Sequence, residues 1–330
     1  MHTNNKSIFG FLYFFCTLLI GCTPPYKPPH GAGKLTEVIV ISEQDLYSEV
    51  ESLLVNTLGR VIYTPTTEHI FDIKVVSPQE LYKFKYRQNC LILGLIGDTL
   101  IEELLAPSAM NELLSGKSYV FGSDSLFVQG QSVLIISAPT TYKLAEVIRD
   151  NSELIFNYFA EGVRKHIKAI LYKDGYQEKL ASELKSKYGF SIHIPEGWIW
   201  ANNEFGFIEF IHHNPDRIIS IYWESTPELE LDKAQAISLR NKIGKLYYDG
   251  DYVNDSLTNF YWVNFHSQTS AKLDGIWQND EKVMGGPFRS YVFWLNGRLY
   301  VIDMHIFAPG EKKWKWLQQL ELICDTFSGG

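Results

Sequence analysis

The sequence predicts an α+β protein built of two α/β sandwich domains, the C-terminal one an antiparallel sheet flanked by helices. Three observations carry that prediction. In the first half, short β-branched runs alternate with stretches whose apolar residues recur at helical spacing. In the second half, a hairpin, a helix and a four-strand meander precede a closing helix, and Asn296-Gly297 is a strong hairpin signal. The chain has 330 residues, more than one small core needs.

Residues 1–21 read as a signal peptide. A single charged side chain, Lys6, precedes the apolar run Ile8–Ile20. That run is short for a mature membrane helix and has the length of a signal-peptide core. Leu19-Ile20-Gly21-Cys22 resembles a bacterial lipobox. The resemblance implies cleavage before Cys22 and lipidation of its thiol; a secretory signal with an incidental Cys is the bland alternative. Stable anchoring takes two or more acyl chains at about 0.8 kcal/mol per buried CH₂. Thr23, not Asp, follows Cys22. By resemblance to lipoproteins generally, that leans toward the outer membrane. The expected location is the cell envelope, lipid-anchored.

Residues 22–33 carry four prolines and two glycines after Cys22 and read as a tether. Proline-rich chain rises about 3.1 Å per residue, which lifts the body roughly 25–35 Å above the lipid. Residues 34–174 and 187–330 are the two expected domains. The net charge is −8, and cleavage would remove Lys6 as well. An acidic body argues against nucleic acid as a partner and against a polybasic membrane patch. The membrane, reached through the lipid, and an envelope protein or glycan remain as partner classes.

The first domain opens with the strand 37–41. Ser42 is expected to cap a helix whose Leu46, Val50, Leu53, Leu54 and Leu58 follow helical spacing, stopping at Gly59. Strands are expected at 71–76, 89–96, 118–121, 125–129 and 132–137, with short helices at 98–105 and 107–114. Ala138-Pro139-Thr140 then starts one long helix with an apolar face from Leu144 to Ile167. The second domain should open with a strand over 188–198. A hairpin 207–212/218–223, a helix 231–246, strands 259–265, 272–278, 288–295 and 298–307, and a helix 311–327 follow.

Two resemblances attach to these residues. The opening Phe190-Ser-x-x-x-Pro195-x-Gly197-Trp198, with Ala308-Pro309 and its following helix, resembles the α/β/α sandwich of extrinsic photosystem PsbP-type proteins. That fold is used more for binding and assembly than for catalysis, and the inference is by analogy. The whole chain, with its lipobox, Arg87-Gln88-Asn89 at a strand start, Gly275-Ile-Trp277 and Met284-Gly-Gly-Pro-Phe288, resembles an uncharacterised lipoprotein family of Bacteroidetes, a domain-of-unknown-function family. It implies location and architecture and no activity.

Candidate chemistry is thin. There is no G-x-G-x-x-G, Walker loop or G-x-S-x-G. No cofactor, metal site or catalytic residue is assigned. His212 and His213, with His193 on an expected neighbouring strand, are the suggestive histidines; the adjacent two point to opposite faces of a regular strand and so cannot share a metal. Asp303 and His305 share a face, which could seed general-base chemistry. The bland reading makes them a solvent-facing side of their strand. Cys90 and Cys324 read as small buried hydrophobes, and an oxidising compartment would also permit a disulfide between them. Six tryptophans lie in or beside the second half's strands; core filling and a glycan platform are both open.

The proposed contact site is the loop 279–288, with Asp280, Glu281 and Lys282 beside Met284, Gly285, Gly286, Pro287 and Phe288. Paired glycines permit positive φ or close backbone approach, and binding residues concentrate on such loops. A plain hairpin connection is the alternative. The leading reading is a membrane-anchored envelope lipoprotein acting as a non-catalytic binding or assembly module. An envelope hydrolase or glycan-acting enzyme, and a carrier of an apolar ligand, are the alternatives.

Overall fold

The computed structural model describes residues 31–62, 64 and 66–329. The signal peptide, Cys22 and the tether up to residue 30 lie outside the described residues. The end of the expected spacer is packed. Gly31 N–H donates to Gln129 O, Ala32 N–H donates to Tyr86 O, and Ala32 O accepts from Gln88 N–H. A Cβ on Gly31 would stand 2.6 Å from Gln88 Oε1, so the small residue permits this contact.

The first half runs β1 (Glu37–Ile41), α1 (Gln44–Leu58), β2 (Val61–Ile62), β3 (Glu68–His69), β4 (Asp72–Val76), α2 (Leu81–Phe84), β5 (Asn89–Leu95), α3 (Thr99–Leu104), α4 (Pro107–Leu114), β6 (Val120–Ser123), β7 (Ser132–Ala138), α5 (Thr141–Asp150) and α6 (Ser152–Leu171). Its main sheet has the order β4-β1-β5-β7-β6, parallel except for β6. Strands β1, β5 and β7 are apolar almost throughout because helices cover both faces. Val38, Val40 and Leu91 meet α1, α5 and α6, while Ile39, Ile41 and Ile92 meet α3 and α4.

Local details differ from the sequence expectations. Ser42 does not cap α1; Glu43 holds the cap position and the Ser42 hydroxyl donates to Glu43 O. The long helix is two helices. Asn151 breaks it, its side-chain amide donating to Val147 O at 2.8 Å, because Asn competes with the helical ladder. Residues 125–129 form no strand.

The second half runs α7 (Glu178–Tyr188), β8 (Phe190–Ser191), β9 (Ile199–Glu204), β10 (Phe207–His212), β11 (Asp216–Ser225), α8 (Lys233–Tyr247), β12 (Tyr252–Val253), β13 (Asn259–Phe265), β14 (Gln268–Asn279), β15 (Met284–Leu295), β16 (Arg298–Phe307), α9 (Trp314–Cys324) and β17 (Ser328–Gly329). Eight strands make one antiparallel sheet, β12-β14-β15-β16-β11-β10-β9, with β13 also paired to β14. The protein is thus mixed α+β, with a mainly parallel sheet in one half and an antiparallel sheet in the other.

Helix α8 covers one face of the antiparallel sheet, and α7 and α9 cover the other. Helix α7 is absent from the sequence expectation: it buries only Leu180, Ala181 and Leu184 and ends at Gly189, whose φ is +82°. The expected strand 188–198 shrinks to β8; Ile192 and Ile194 are buried without being in a strand.

Helix α9 packs in two directions. Leu317, Leu320 and Ile323 belong to the core of the antiparallel sheet, while Trp314 and Leu322 join the core of the first half. Charges reinforce the seam. Lys313 pairs with Glu68, both nearly buried, and Lys312 Nζ lies 2.6 Å from Asp72 Oδ1. Arg164 of α6 pairs with Asp325. Among the described residues, no helix is long and apolar enough to cross a membrane.

Candidate functional site

One concentration of buried polar chemistry lies under α8. Register places Glu209 opposite Ser220, Ser220 opposite Asp303, and Asp303 opposite Ser290. One transverse row across four strands is therefore polar. Alternation points all four side chains to the α8 face, among Phe207, Val292, Leu299 and Val301. His305, two residues after Asp303, joins them. Asp303 is fully buried and His305 is 2% exposed. The solvent-facing reading of this pair is therefore wrong: α8 covers the face that would otherwise meet water.

Helix α8 starts with a capping box between Asp232 and Gln235. Eight positions on, Arg240 is fully buried. Its guanidinium Nη2 lies 3.4 Å from Asp303 Oδ2 and above the rings of Phe288 and Tyr248. Ser290 Oγ donates to Asp303 Oδ1, and His305 Nδ1 stands 3.1 Å from Asp303 Oδ2. The Tyr248 and Trp277 rings meet the His305 ring edge-on.

Electrostatics separate the two carboxylates. Burial pushes the Asp303 carboxyl up, but Arg240, His305 and Ser290 outweigh it and hold it at about 2. Glu209 lacks such a cation. Burial raises its carboxyl above the ordinary value, and Tyr248 and His305 oppose that only in part. Burial likewise pushes the Tyr248 phenol well above its usual value.

This cluster does not make a nucleophile. Ser290 donates not to the imidazole but to a carboxylate held at about 2, which is too weak a base to take its proton. Asp303 accepts from a serine, contacts a histidine nitrogen and forms an ion pair with an arginine. Its arrangement suits a buried clamp that fixes α8 over the sheet.

The expected contact loop is differently built. Asp280, Glu281, Lys282 and Val283 form a tight turn, whereas Met284, Gly285, Gly286, Pro287 and Phe288 already belong to β15. Neither glycine has a positive φ; Val283 does, at +51°. The glycines serve close approach. A Cβ on Gly286 would stand 1.9 Å from Ile306 O, and one on Gly285 2.8 Å from Trp277 O.

A groove of about 660 Å³ runs beside this turn. Asn279, Asp280, Val283 and Met284 form one wall, and Thr64, Pro309, Gly310 and Lys313 close it at the seam between the halves. Val283 is 90% exposed. Tyr252 Oη donates to Asp280 at 2.8 Å, and Lys282 pairs with Asp249. Phe288 is fully buried against α8 and takes no part in the groove.

The other sequence candidates separate in space. His212 Nδ1 contacts His213 O, His213 Nδ1 lies 2.7 Å from Asp216 Oδ1, and His193 stacks on Tyr176 with centroids 4.0 Å apart. Among the described residues, no group of three His, Cys, Asp or Glu is placed to hold a metal. Cys90 and Cys324 are free and buried. Trp198, Trp223 and Trp277 fill the core, while Trp262 is half-exposed. In the first half, a crevice of about 370 Å³ sits near the carboxyl ends of β1, β4 and β5, where parallel sheets bind ligands. Its rim carries Glu43, Asp98 and Glu103, the wrong sign for a phosphate.

The sequence missed Arg240, Glu209 and Tyr248. A charged residue on an amphipathic helix reads as surface, and only the strand register brings Glu209 into line with Asp303.

Residues 31–172 match the family described as domain of unknown function (DUF8532), and residues 177–326 match domain of unknown function (DUF4837). No curated protein matches the chain. Among solved structures, it is similar to cyanobacterial PsbP (CyanoP) from Synechocystis sp. PCC 6803, at 15% identity over 43% of this chain and 87% of that one, with a TM-score of 0.33. A protein from Bacteroides thetaiotaomicron VPI-5482 is similar at 12% identity over 43% of this chain and 45% of that one, TM-score 0.28. The Pseudomonas aeruginosa protein of unknown function PA94 is similar at 14% identity over 39% and 87%, TM-score 0.23.

Proposed function

We propose that this chain is a lipid-anchored envelope protein, of the Bacteroidetes lipoprotein kind, that works as a non-catalytic binding or assembly module. It holds an envelope protein at the groove beside residues 280–283. The observation that carries this reading is a contrast of exposure. The constellation best suited to acid–base chemistry, Asp303 with His305, is sealed under α8. The turn residues stand open, with the β-branched Val283 held in the left-handed region and pushed into solvent. A residue of that type adopts such a backbone at a cost, which marks the turn as specialised. Val283 and Met284 make an apolar patch beside charges, which suits a protein surface better than a glycan.

The anchor rests on Leu19–Cys22 and the proline-rich segment behind it. Metabolic labelling with a fatty-acid analogue should mark the wild type and not Cys22→Ala; equal labelling of both ends the lipoprotein reading. For the contact site, the triple change of Asp280, Glu281 and Lys282 to Ala should shift the melting temperature little, because these side chains are exposed. It should remove a specific partner from crosslinked envelope pulldowns. An unchanged partner list returns the turn to a plain connection.

A further inference from the structure

Strand β13 is an edge of the antiparallel sheet, and it is unprotected. Among the described residues it pairs with β14 alone. Its outer side presents a row of backbone N–H and C=O groups. Natural edges are blunted by charges, prolines or bulges. The β13 sequence Asn259-Phe-Tyr-Trp-Val-Asn-Phe265 has none of these: no charge, no proline, and unbroken pairing over all seven residues. Tyr261 and Trp262 point to opposite faces and are 49% and 52% exposed. The opposite edge, β9, is managed. It carries Glu204, and its pairing with β10 shifts register between Glu209 and Phe210.

We propose that β13 is a self-association edge: two copies of this chain pair antiparallel through β13, with Trp262 opposite its own counterpart, and join their sheets into one. The unpaired ladder selects an extended backbone as occupant. A second copy is the occupant whose side chains match this edge in register. Each chain carries −8, which opposes association in general, but the edge itself carries no charge, so no like charges are brought into contact there. In the register about Trp262, Tyr261 faces Val263, Phe260 faces Asn264 and Asn259 faces Phe265, and no like charges oppose each other. Tyr261 with Val263 is an aromatic–β-branched pair of the kind that stabilises sheets, formed twice by symmetry. Such a contact is isologous and closes at two copies. A head-to-tail contact of β13 with β9 would have to accommodate Glu204 and the irregular register there. This pairing is independent of the groove at residues 280–283, so the two proposals stand or fall separately.

The test uses full-length protein in its native envelope. Two differently tagged copies are co-expressed, with a photo-crosslinking amino acid in place of Tyr261. Crosslinked species carrying both tags are expected, and the same probe in place of Ile199 on β9 should give none. Trp262→Lys would set like charges opposite each other and should cut the two-tag product roughly tenfold or more at an unchanged melting temperature. If that variant unfolds, Trp262→Glu, with the probe kept in place of Tyr261, makes the same test with like charges of the other sign. Absence of two-tag products, crosslinks only to other proteins, or equal two-tag yield from β9 would overturn the proposal.

Discussion

Arg240 and Asp303 are both fully buried, and their charged groups meet 3.4 Å apart between α8 and the antiparallel sheet. Neither could sit there alone, because an unpaired buried charge costs several kcal/mol. Asp303 also receives Ser290 and His305, so one carboxylate ties β15, β16 and α8 together. The arrangement ties α8 to the sheet through a single buried side chain.

Arg240→Met leaves Asp303 buried without its cation and should cost about 3–5 kcal/mol in urea unfolding. Combining it with Asp303→Asn should recover part of that loss, since neither charge of the pair is then left buried without its partner. If the double variant is as unstable as the sum of the singles, the two residues do not act as a pair.

The two carboxylates under α8 should respond to pH with opposite sign. Asp303, held at about 2, lies below the unfolded value of about 3.9, so it contributes on the order of 2 kcal/mol at neutral pH. That contribution is lost as pH falls from about 5 toward 1. The stability difference between wild type and Asp303→Asn should therefore shrink through that window.

Glu209 behaves in reverse. Its folded-state value is raised, so the folded protein holds the proton more tightly than the unfolded chain. Stability contributed by the neutral form is present at low pH and lost as pH rises through the unfolded value of about 4.3 and on to the raised one. Glu209→Gln should stabilise the protein at pH 7, and the gain should vanish near pH 3. Parallel denaturation curves at the two pH values measure it, and a gain that persists at pH 3 would mean that charge is not the cause.

Gly286→Ala should cost about 3 kcal/mol, because its Cβ would collide with the Ile306 carbonyl on a paired strand that cannot retreat. Asp280→Ala, six residues earlier on the exposed turn, should change stability by no more than about 0.5 kcal/mol. Chemical denaturation of the two variants separates close packing from surface position.

Cys90 and Cys324 should be inert to alkylation in the folded protein. Burial pushes the Cys90 thiol up to about 12 and raises Cys324 well above its ordinary value, so little thiolate forms at pH 8. Both should react only on unfolding, at a rate that follows the opening equilibrium. Rapid modification of either thiol in native buffer would contradict that.

The fold was largely legible because its signals are local. The meander from β13 to β16 and the Asn296-Gly297 turn follow from alternation and turn chemistry carried by neighbouring residues. Local signals and structure part where packing overrides them. Asn151 broke a helix whose apolar stripe reads as continuous. Helix α7 carries only a weak apolar stripe in the sequence because it buries three side chains. The 279–288 stretch read as a loop because Gly-Gly-Pro suggests a turn, whereas Gly285 and Gly286 are small so that neighbouring backbones can approach.

By itself, the sequence determined the fold class, the strand and helix alternation, the buried cysteines and the lack of a recognisable catalytic motif. These depend on residues close together in the chain. Tertiary structure alone decided that Asp303 and His305 face α8 rather than water, that Glu209, Ser220, Asp303 and Ser290 share one row, and that α9 serves two cores. The physical reason is that strand alternation names two faces without saying what covers either one. Coverage is set by contacts across the chain, such as Arg240 on Asp303 and Trp314 against Phe71, which no local pattern encodes.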